Sequence, residues 1–261
     1  MISVLSLNTW KCDGDYEKRL EIITAQLQNL NYSIIAIQEC FATPDYYYNT
    51  AMVLSEKLGM NCFFYPCRRK PRTINNKLLD SFSGLAILCR FKVIQKHVIE
   101  LPSTPLDPER VAIAVKFYYN NNLITLVNLH LTHLQNEIKL RNEQFKTVLN
   151  DPFLEDNDSI NIFCGDFNCE VTSSSLSEFF NPPYKLMDTY FLGNGLQPVF
   201  TCPATDEINY DRKYKIDHIL VAPKNNIYPQ CIDSKIELNL KDSIYNIYPS
   251  DHFAIATKFI L

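Results

Sequence analysis

Short apolar runs and amphipathic stretches alternate along the whole chain. The apolar runs predict β-strands over residues 2–7, 33–37, 84–89, 111–118, 123–130, 159–164, 216–222 and 253–260. Helical spacing of apolar residues predicts helices over residues 16–30, 45–58 and 136–149. An Asn-rich turn at residues 120–122 joins two of the strands and is typical of a β-hairpin.

The order of these elements indicates the class of fold. Many strands, few helices and a hairpin connection favour a mixed α/β or α+β sandwich over a doubly wound parallel sheet. No Gly/Ser-rich linker, low-complexity tract or internal repeat interrupts the pattern. We therefore predict one large domain over residues 1–261.

Composition and charge narrow the function classes. Hydrophobic residues make up 46% of the chain and aromatic residues 12%, which excludes a globally disordered protein. The net charge of −4 is unlike that of proteins that coat nucleic acid non-specifically. A phosphate-rich ligand is therefore expected to be bound locally or through a metal ion.

The cellular location of the protein is predicted from the absence of membrane-span and signal-peptide patterns in the sequence. No stretch approaches the roughly 20 apolar residues of a membrane span, and the first ten residues lack the charged region of a signal peptide. The nine cysteines show no CxxC pair and no metal-finger spacing, so we expect reduced thiols and no structural zinc. We expect a cytoplasmic protein and a monomer, with a secreted effector role as the open alternative.

Polar residues capable of chemistry lie at the ends of several predicted strands. Each of them alone is more often a turn former or a structural histidine. Strand ends at one edge of a sheet, however, present side chains to a common site, and the joint pattern indicates function. The set comprises Asn8, Glu39, His130, Asp166, Asn168, Asp217, Asp251 and His252.

The residue types in this set suit phosphoryl chemistry. Glu39 and Asp251 offer the hard oxygen ligands that Mg²⁺ or Mn²⁺ prefers. Asp217 is the natural partner for His252, because an Asp–His pair orients the imidazole. Asp166 is a candidate to orient or deprotonate an attacking water.

Eight motifs carry a family resemblance. They are SLNTW, IIAIQE, SGLAIL, LVNLHLTH, LRNEQ, GDFN, KIDHIL and SDH, in this order from Asn8 to His252. The chain therefore resembles the endonuclease/exonuclease/phosphatase family. The resemblance implies a four-layer αββα sandwich with two mixed β-sheets and a site at one edge.

The resemblance also implies a metal site. Glu39 would be the principal Mg²⁺ (or Mn²⁺) ligand, with Asn8 beside it. Asp251 would assist the metal or the neighbouring His252.

On the phosphate side, the resemblance assigns catalytic roles. Asp166 would act on the nucleophilic water, and Asn168 would place that water and the phosphate. His252, supported by Asp217, would contact the scissile phosphate, and His130 would bind a phosphate oxygen. The resemblance leaves open which of Asp166 and His252 is the general base.

Substrate class is less sharply indicated. The chain resembles both the type 2 tyrosyl-DNA phosphodiesterase branch and the neutral sphingomyelinase-like branch. We expect a Mg²⁺-dependent phosphodiesterase that acts on nucleic acid or at a DNA end. A sphingomyelinase-like or phosphoinositide-type lipid phosphoesterase and a catalytically inactive binding module remain the alternatives.

Two basic features bear on the substrate. Arg110 precedes a predicted strand and is a candidate to bind a substrate phosphate. Residues 68–72 read RRKPR, a dense basic run in an acidic chain. The run either attracts a polyanion or forms a solvated loop.

Overall fold

The computed structural model describes residues 1–155, 159–195, 197, 199–202, 213–223 and 228–260. Four α-helices are present in this part: α1 (Tyr16–Leu30), α2 (Thr50–Leu58), α3 (Ile138–Leu149) and α4 (Thr189–Asn194). The strands are β1 (Ile2–Asn8), β2 (Ile34–Ala42), β3 (Asn61–Tyr65), β4 (Arg72–Ile74), β5 (Lys77–Leu79), β6 (Phe82–Cys89), β7 (Val93–Glu100), β8 (Val111–Tyr119), β9 (Asn122–His130), β10 (Ser159–Asp166), β11 (Met187–Asp188), β12 (Asp217–Val221), β13 (Gln230–Glu237) and β14 (Ala254–Ile260).

Two six-stranded mixed sheets form the centre of the molecule. The first has the order β13-β14-β1-β2-β6-β3 and the second the order β11-β12-β10-β9-β8-β7. In each sheet one central pair is parallel, β1 with β2 and β9 with β10, and the other pairs are antiparallel. A separate two-stranded hairpin, β4–β5, lies outside both sheets.

The apolar residues sort into three layers of core. Along β2, Ile34 and Ala36 pack between the sheets, whereas Ile35 and Ile37 pack under α1 and α2. This alternation is the period of two that a strand with both faces buried shows. On the outer face of the second sheet, Phe145 and its neighbours on α3 complete the third layer. The α+β four-layer sandwich with two mixed sheets is confirmed.

Two predicted boundaries were wrong for local reasons. The second helix begins at Thr50 instead of residue 45, because Asn49 caps it by accepting a hydrogen bond from the Met52 N–H at 3.0 Å. The second strand continues to Ala42 beyond the predicted end at residue 37. Its pairing with β6 is interrupted by a bulge after Ile37 and resumes at Cys40. The strand therefore continues beyond the end of the apolar run that predicted it.

The two sheets are also joined by buried polar contacts. The Asn128 side-chain amide on β9 donates to the carbonyls of Ile37 and Ala86 in the first sheet, at 2.9 and 2.8 Å. Its oxygen accepts from the Gln38 amide at 2.7 Å, and Gln38 also donates to Ser6. Because such bonds are directional, they fix the position of one sheet on the other.

None of the helices among the described residues is long and apolar enough to cross a membrane. The nine cysteines are free thiols, four of them buried.

We predict that Asn128→Leu lowers the free energy of unfolding by at least about 3 kcal/mol. The substitution leaves two buried carbonyls and the Gln38 amide without their partner, and each such loss costs about 1–3 kcal/mol. Urea-induced unfolding followed by circular dichroism measures the change. Asn61→Leu, at an exposed position of β3, is the matched control and is expected to change stability by less than about 0.5 kcal/mol. Equal losses in the two variants would contradict the role of the inter-sheet bonds.

Candidate active site

Strand register brings the candidate residues to one edge of the sandwich. In the second sheet, Asp166 is the direct neighbour of His130 on β9 and of Asp217 on β12. In the first sheet, the parallel pairing of β1 with β2 ends at Asn8 and Gln38. The ends of both sheets therefore meet at the same edge, as the sequence pattern predicts.

Asp166 lies at the centre of this edge. Its Oδ2 accepts a hydrogen bond from the Asn8 amide at 3.0 Å. The same oxygen is 3.4 Å from His130 Nε2 and 3.9 Å from His252 Nε2. Its Oδ1 accepts from the Asn168 backbone N–H at 2.8 Å. One buried carboxylate thus links both sheets and faces two histidines.

The glycine of the GDFN motif permits this position. Gly165 has a φ of 145°, and a Cβ at this residue would lie 1.9 Å from the Leu129 carbonyl oxygen of β9. Only glycine allows β10 to approach β9 so closely, and the next residue is Asp166.

Asp217 holds the ring of His252. Its Oδ2 is 2.8 Å from His252 Nδ1, which leaves Nε2 facing Asp166. Thr201, from a distant loop, places Asp217 by accepting its backbone N–H at 3.2 Å. Burial alone would lower the pKa of His252, but the Asp217 carboxylate raises that pKa well above its ordinary value. Asp217 therefore orients the imidazole and stabilises its charged form.

The two carboxylates of this edge also act on each other. Burial and the neighbouring Asp217 charge raise the pKa of Asp166 to about 7, although His252 opposes the shift. A carboxyl group with such a pKa is suited to accept and release a proton near neutral pH.

Each of the three guanidinium nitrogens of Arg110 contacts another residue of the protein. It donates from Nε to Asp107 at 2.9 Å and from Nη1 to the His130 carbonyl at 3.1 Å, and Nη2 is 3.0 Å from His133 Nδ1. The side chain is 7% exposed. Burial and the charge of Arg110 lower the pKa of His130 well below its usual value, so His130 is neutral. The observed contacts make Arg110 a support for both histidines.

Glu39, on β2, lines the same cavity as His130 and has an unusual backbone conformation. Its φ of 56° falls in the left-handed region, at the bulge between Ile37 and Cys40. The Lys11 ammonium is 2.8 Å from Glu39 Oε2. Burial would raise the pKa of Glu39, but the charge of Lys11 lowers that pKa. Strained backbone of this kind often marks a functional residue.

The donors around Glu39 fit a divalent cation. Burial, together with the negative charge of Glu39, raises the pKa of Asp251, as expected for two carboxylates that share a site. Lys11 shows that a positive charge is accommodated against Glu39. Hard carboxylate oxygens are the ligands of Mg²⁺ and Mn²⁺. The hydrogen bonds of the Asn8 side chain go to other partners than Glu39. Its amide nitrogen donates to Asp166, and its amide oxygen accepts from the Trp10 N–H at 3.0 Å.

A second group of donors lies close by. Ligand atoms of Asp166, Asp217 and His252 all lie within 4.8 Å of one another. Asp217 Oδ1 has no hydrogen-bond partner in the described part of the chain. This group and the Glu39 carboxylate are distinct sets of donors at the same edge.

Three site residues were missed from sequence: Lys11, Asp107 and Thr201. Asp107 is fully buried and anchors Arg110, yet it lies in an irregular loop with no motif around it. Thr201 acts on Asp217 from 16 residues away. Lys11 comes directly after the motif SLNTW, and this position was the only sequence signal that pointed to it. Asn168, predicted to place the water and the phosphate, contacts Asp166 through its backbone N–H, and its side-chain amide donates to the Leu131 carbonyl at 3.0 Å.

Comparisons with known proteins identify relatives by sequence and by fold. The tyrosyl-DNA phosphodiesterase 2 of Gallus gallus is 25% identical over 271 residues, which cover 98% of this chain and 67% of that protein. A structure of D. rerio TDP2 complexed with single-strand DNA product has a TM-score of 0.77 at 18% identity and covers 100% of this chain and 99% of its own. A mannosyl-6-phosphatase from Bacteroides thetaiotaomicron has a TM-score of 0.74 at 22% identity, with both chains fully covered. The two structures share the fold of this chain.

A family model assigns the chain. The model described as the Endonuclease/Exonuclease/phosphatase family matches residues 5–252, which include every candidate site residue. The chain therefore belongs to the endonuclease/exonuclease/phosphatase family and is a phosphoric ester hydrolase.

Proposed function

We propose that the protein is a Mg²⁺-dependent phosphodiesterase that acts on nucleic acid, with a DNA end as its first substrate. The observation that carries the proposal is the buried Asp166 carboxylate, which faces His130 and His252 at the edge where both sheets end. This arrangement supports a mechanism in which Asp166 accepts a proton and the two histidines bind the phosphate. Glu39, against which a cation is already accommodated, lines the same cavity as His130.

Glu39 and Asp251 are the residues that would hold the metal ion. When bound, Mg²⁺ supplies positive charge that neutralises the phosphate and stabilises its transition state. The Lys11 ammonium, now 2.8 Å from Glu39 Oε2, would give up this position to a bound divalent cation, because the two positive charges repel each other.

The remaining steps belong to the side chains around Asp166. Asp166 Oδ2 accepts the proton of the attacking water, since it is the acceptor that the other groups surround. The His252 ring, held through Nδ1 by Asp217, donates from Nε2 to a phosphoryl oxygen. Asn8 and Asn168 hold the carboxylate in place through its two oxygens. His130, kept neutral, binds another phosphoryl oxygen.

The choice of a DNA end follows from the relatives. The Gallus gallus relative is named for a tyrosyl-DNA phosphodiester, and the D. rerio structure contains a single-strand DNA product. The likeness to the first covers nearly the whole of this chain. A strand of DNA therefore has more support as substrate than a lipid headgroup.

We predict that the protein releases tyrosine from a single-stranded oligonucleotide joined to it by a terminal phosphodiester. Release should require Mg²⁺ and stop when EDTA is added. Supercoiled plasmid, sphingomyelin vesicles and p-nitrophenyl phosphate, assayed in parallel, distinguish nuclease, lipid and monoester activities. Turnover of sphingomyelin or the monoester alone would contradict the nucleic-acid assignment. No turnover of any of the four would contradict the proposed function.

We predict that His252→Gln lowers kcat by at least about 100-fold, because a positioned proton donor contributes about that much or more. The glutamine keeps the side-chain volume close to that of histidine, so the fold is expected to persist by circular dichroism. His97→Gln is the matched control, since His97 lies on β7 and contacts Asp151. A kcat in His252→Gln within fivefold of wild type would remove His252 from the mechanism.

We predict that Glu39→Gln weakens Mn²⁺ binding at least about tenfold. Loss of an outer-shell partner costs a metal site 10- to 100-fold, and loss of a charged ligand costs no less. Electron paramagnetic resonance of free Mn²⁺ measures binding without any substrate. Glu100→Gln, at an exposed position of β7, is the matched control. Unchanged Mn²⁺ affinity in Glu39→Gln would place the metal elsewhere.

A further inference from the structure

A cavity of about 440 Å³ adjoins the candidate site. Its lining includes Glu39 and His130 from the site and most of the segment 67–73. The segment contains the basic run that the sequence singles out, so the cavity connects the reacting groups with that run.

The basic segment is held in a defined conformation. The Lys70 N–H donates to the Ser81 carbonyl at 2.9 Å, and the Ser83 N–H donates to the Cys67 carbonyl at 3.0 Å. The Ser81 hydroxyl donates in turn to the Lys70 carbonyl at 2.7 Å. A site that is ordered before its ligand arrives binds at lower entropic cost.

The basic side chains of the run are not equivalent. Arg68, Lys70 and Arg72 line the cavity, whereas Arg69 does not. Arg69 instead binds Asp80, with its Nε 2.9 Å from Asp80 Oδ2. Three cations of the run therefore line the cavity, and the fourth is neutralised at the surface.

The cavity carries more positive than negative charge. Arg68 and Arg110 share the single carboxylate of Asp107. Arg72 donates to the neutral Lys70 carbonyl and Ser81 hydroxyl, at 3.1 and 3.0 Å. Among the residues that the structure describes, neither Arg72 nor Lys70 forms a salt bridge. The lining has five Lys and Arg against three Asp and Glu, in a chain of net charge −4.

We propose that Arg68, Lys70 and Arg72 form a second anion subsite, which binds a phosphate next to the one that is cleaved. The substrate is then a strand of linked phosphodiesters, since an isolated ester has no second phosphate to place there. Guanidinium groups match phosphate oxygens in shape and charge. This inference rests on the proposed function and specifies its substrate.

Binding tests the subsite without catalysis. The probe is a fluorescein-labelled single-stranded hexathymidylate, measured by fluorescence anisotropy in EDTA. We expect Arg72→Gln to weaken binding about tenfold, the cost of one charge-assisted hydrogen-bonded contact. The slope of log K against log salt should fall by about 0.7, as expected when one phosphate contact to a single strand is lost. Arg69→Gln, in the same loop but outside the cavity, should bind within twofold of wild type.

Kinetics separate this proposal from the proposed function. Arg72→Gln should raise KM for the oligonucleotide substrate and leave kcat unchanged, with no effect on bis-p-nitrophenyl phosphate, which has one phosphate. Failure of all turnover would overturn the proposed function, while the anisotropy result would still decide the subsite.

Three outcomes would overturn the subsite. They are wild-type binding by Arg72→Gln, equal weakening by Arg69→Gln, and weakening of inorganic phosphate binding without any effect on the hexathymidylate. The last result would assign the cavity to a small anion. A cooperative thermal unfolding transition in each variant is the control that shows whether the variant is folded.

Discussion

Hydrogen bonds that cross from one sheet to the other set the geometry of this protein's active edge. Apolar packing between the sheets is strong but non-directional, so it tolerates sliding. Asn128 opposes sliding in the core through three bonds to the first sheet, and the Asn8–Asp166 bond does so at the edge itself. The distances from Asp166 to Asn8 and to His252, which join side chains of the two sheets, depend on the sheets keeping this alignment.

Different neighbouring charges act on the Asp166 carboxylate and on the Glu39 carboxylate at this edge. On the second sheet, Asp217 holds His252, and burial with the charge of Asp217 raises the pKa of Asp166 to about 7. On the first sheet, the Glu39 carboxylate is kept ionised by Lys11. In the proposed mechanism Glu39 and Asp251 supply the metal ligands, Asp166 of the second sheet accepts a proton, and His252, in the segment before β14 of the first sheet, donates one. The basic cavity beside Glu39 extends the site along a bound strand.

Local patterns predicted the parts of the fold that depend on local physics. The spacing of Leu20 and Leu27 predicted α1 over residues 16–30, where the structure places it. β13, with the sequence QCIDSKIE, was missed because it is an edge strand whose exposed polar residues dilute the apolar signal. Strand ends also predicted that Asp166 lies beside His130 and Asp217 at one edge of the sandwich. The bonds of Asp107 to Arg68 and Arg110, and of Thr201 to Asp217, depend on irregular loops whose course no sequence period encodes.

An anomalous difference map from crystals soaked in Mn²⁺ tests most directly whether metal binding and proton transfer belong to separate groups of side chains at this edge. It needs neither a substrate nor an assay. We expect a strong peak at the Glu39 carboxylate, with Asp251 beside it and the Lys11 ammonium displaced. A peak bound only by Asp166, Asp217 and His252, or no peak at millimolar Mn²⁺, would contradict the assignment of metal binding to Glu39 and Asp251 and of proton transfer to Asp166 and His252.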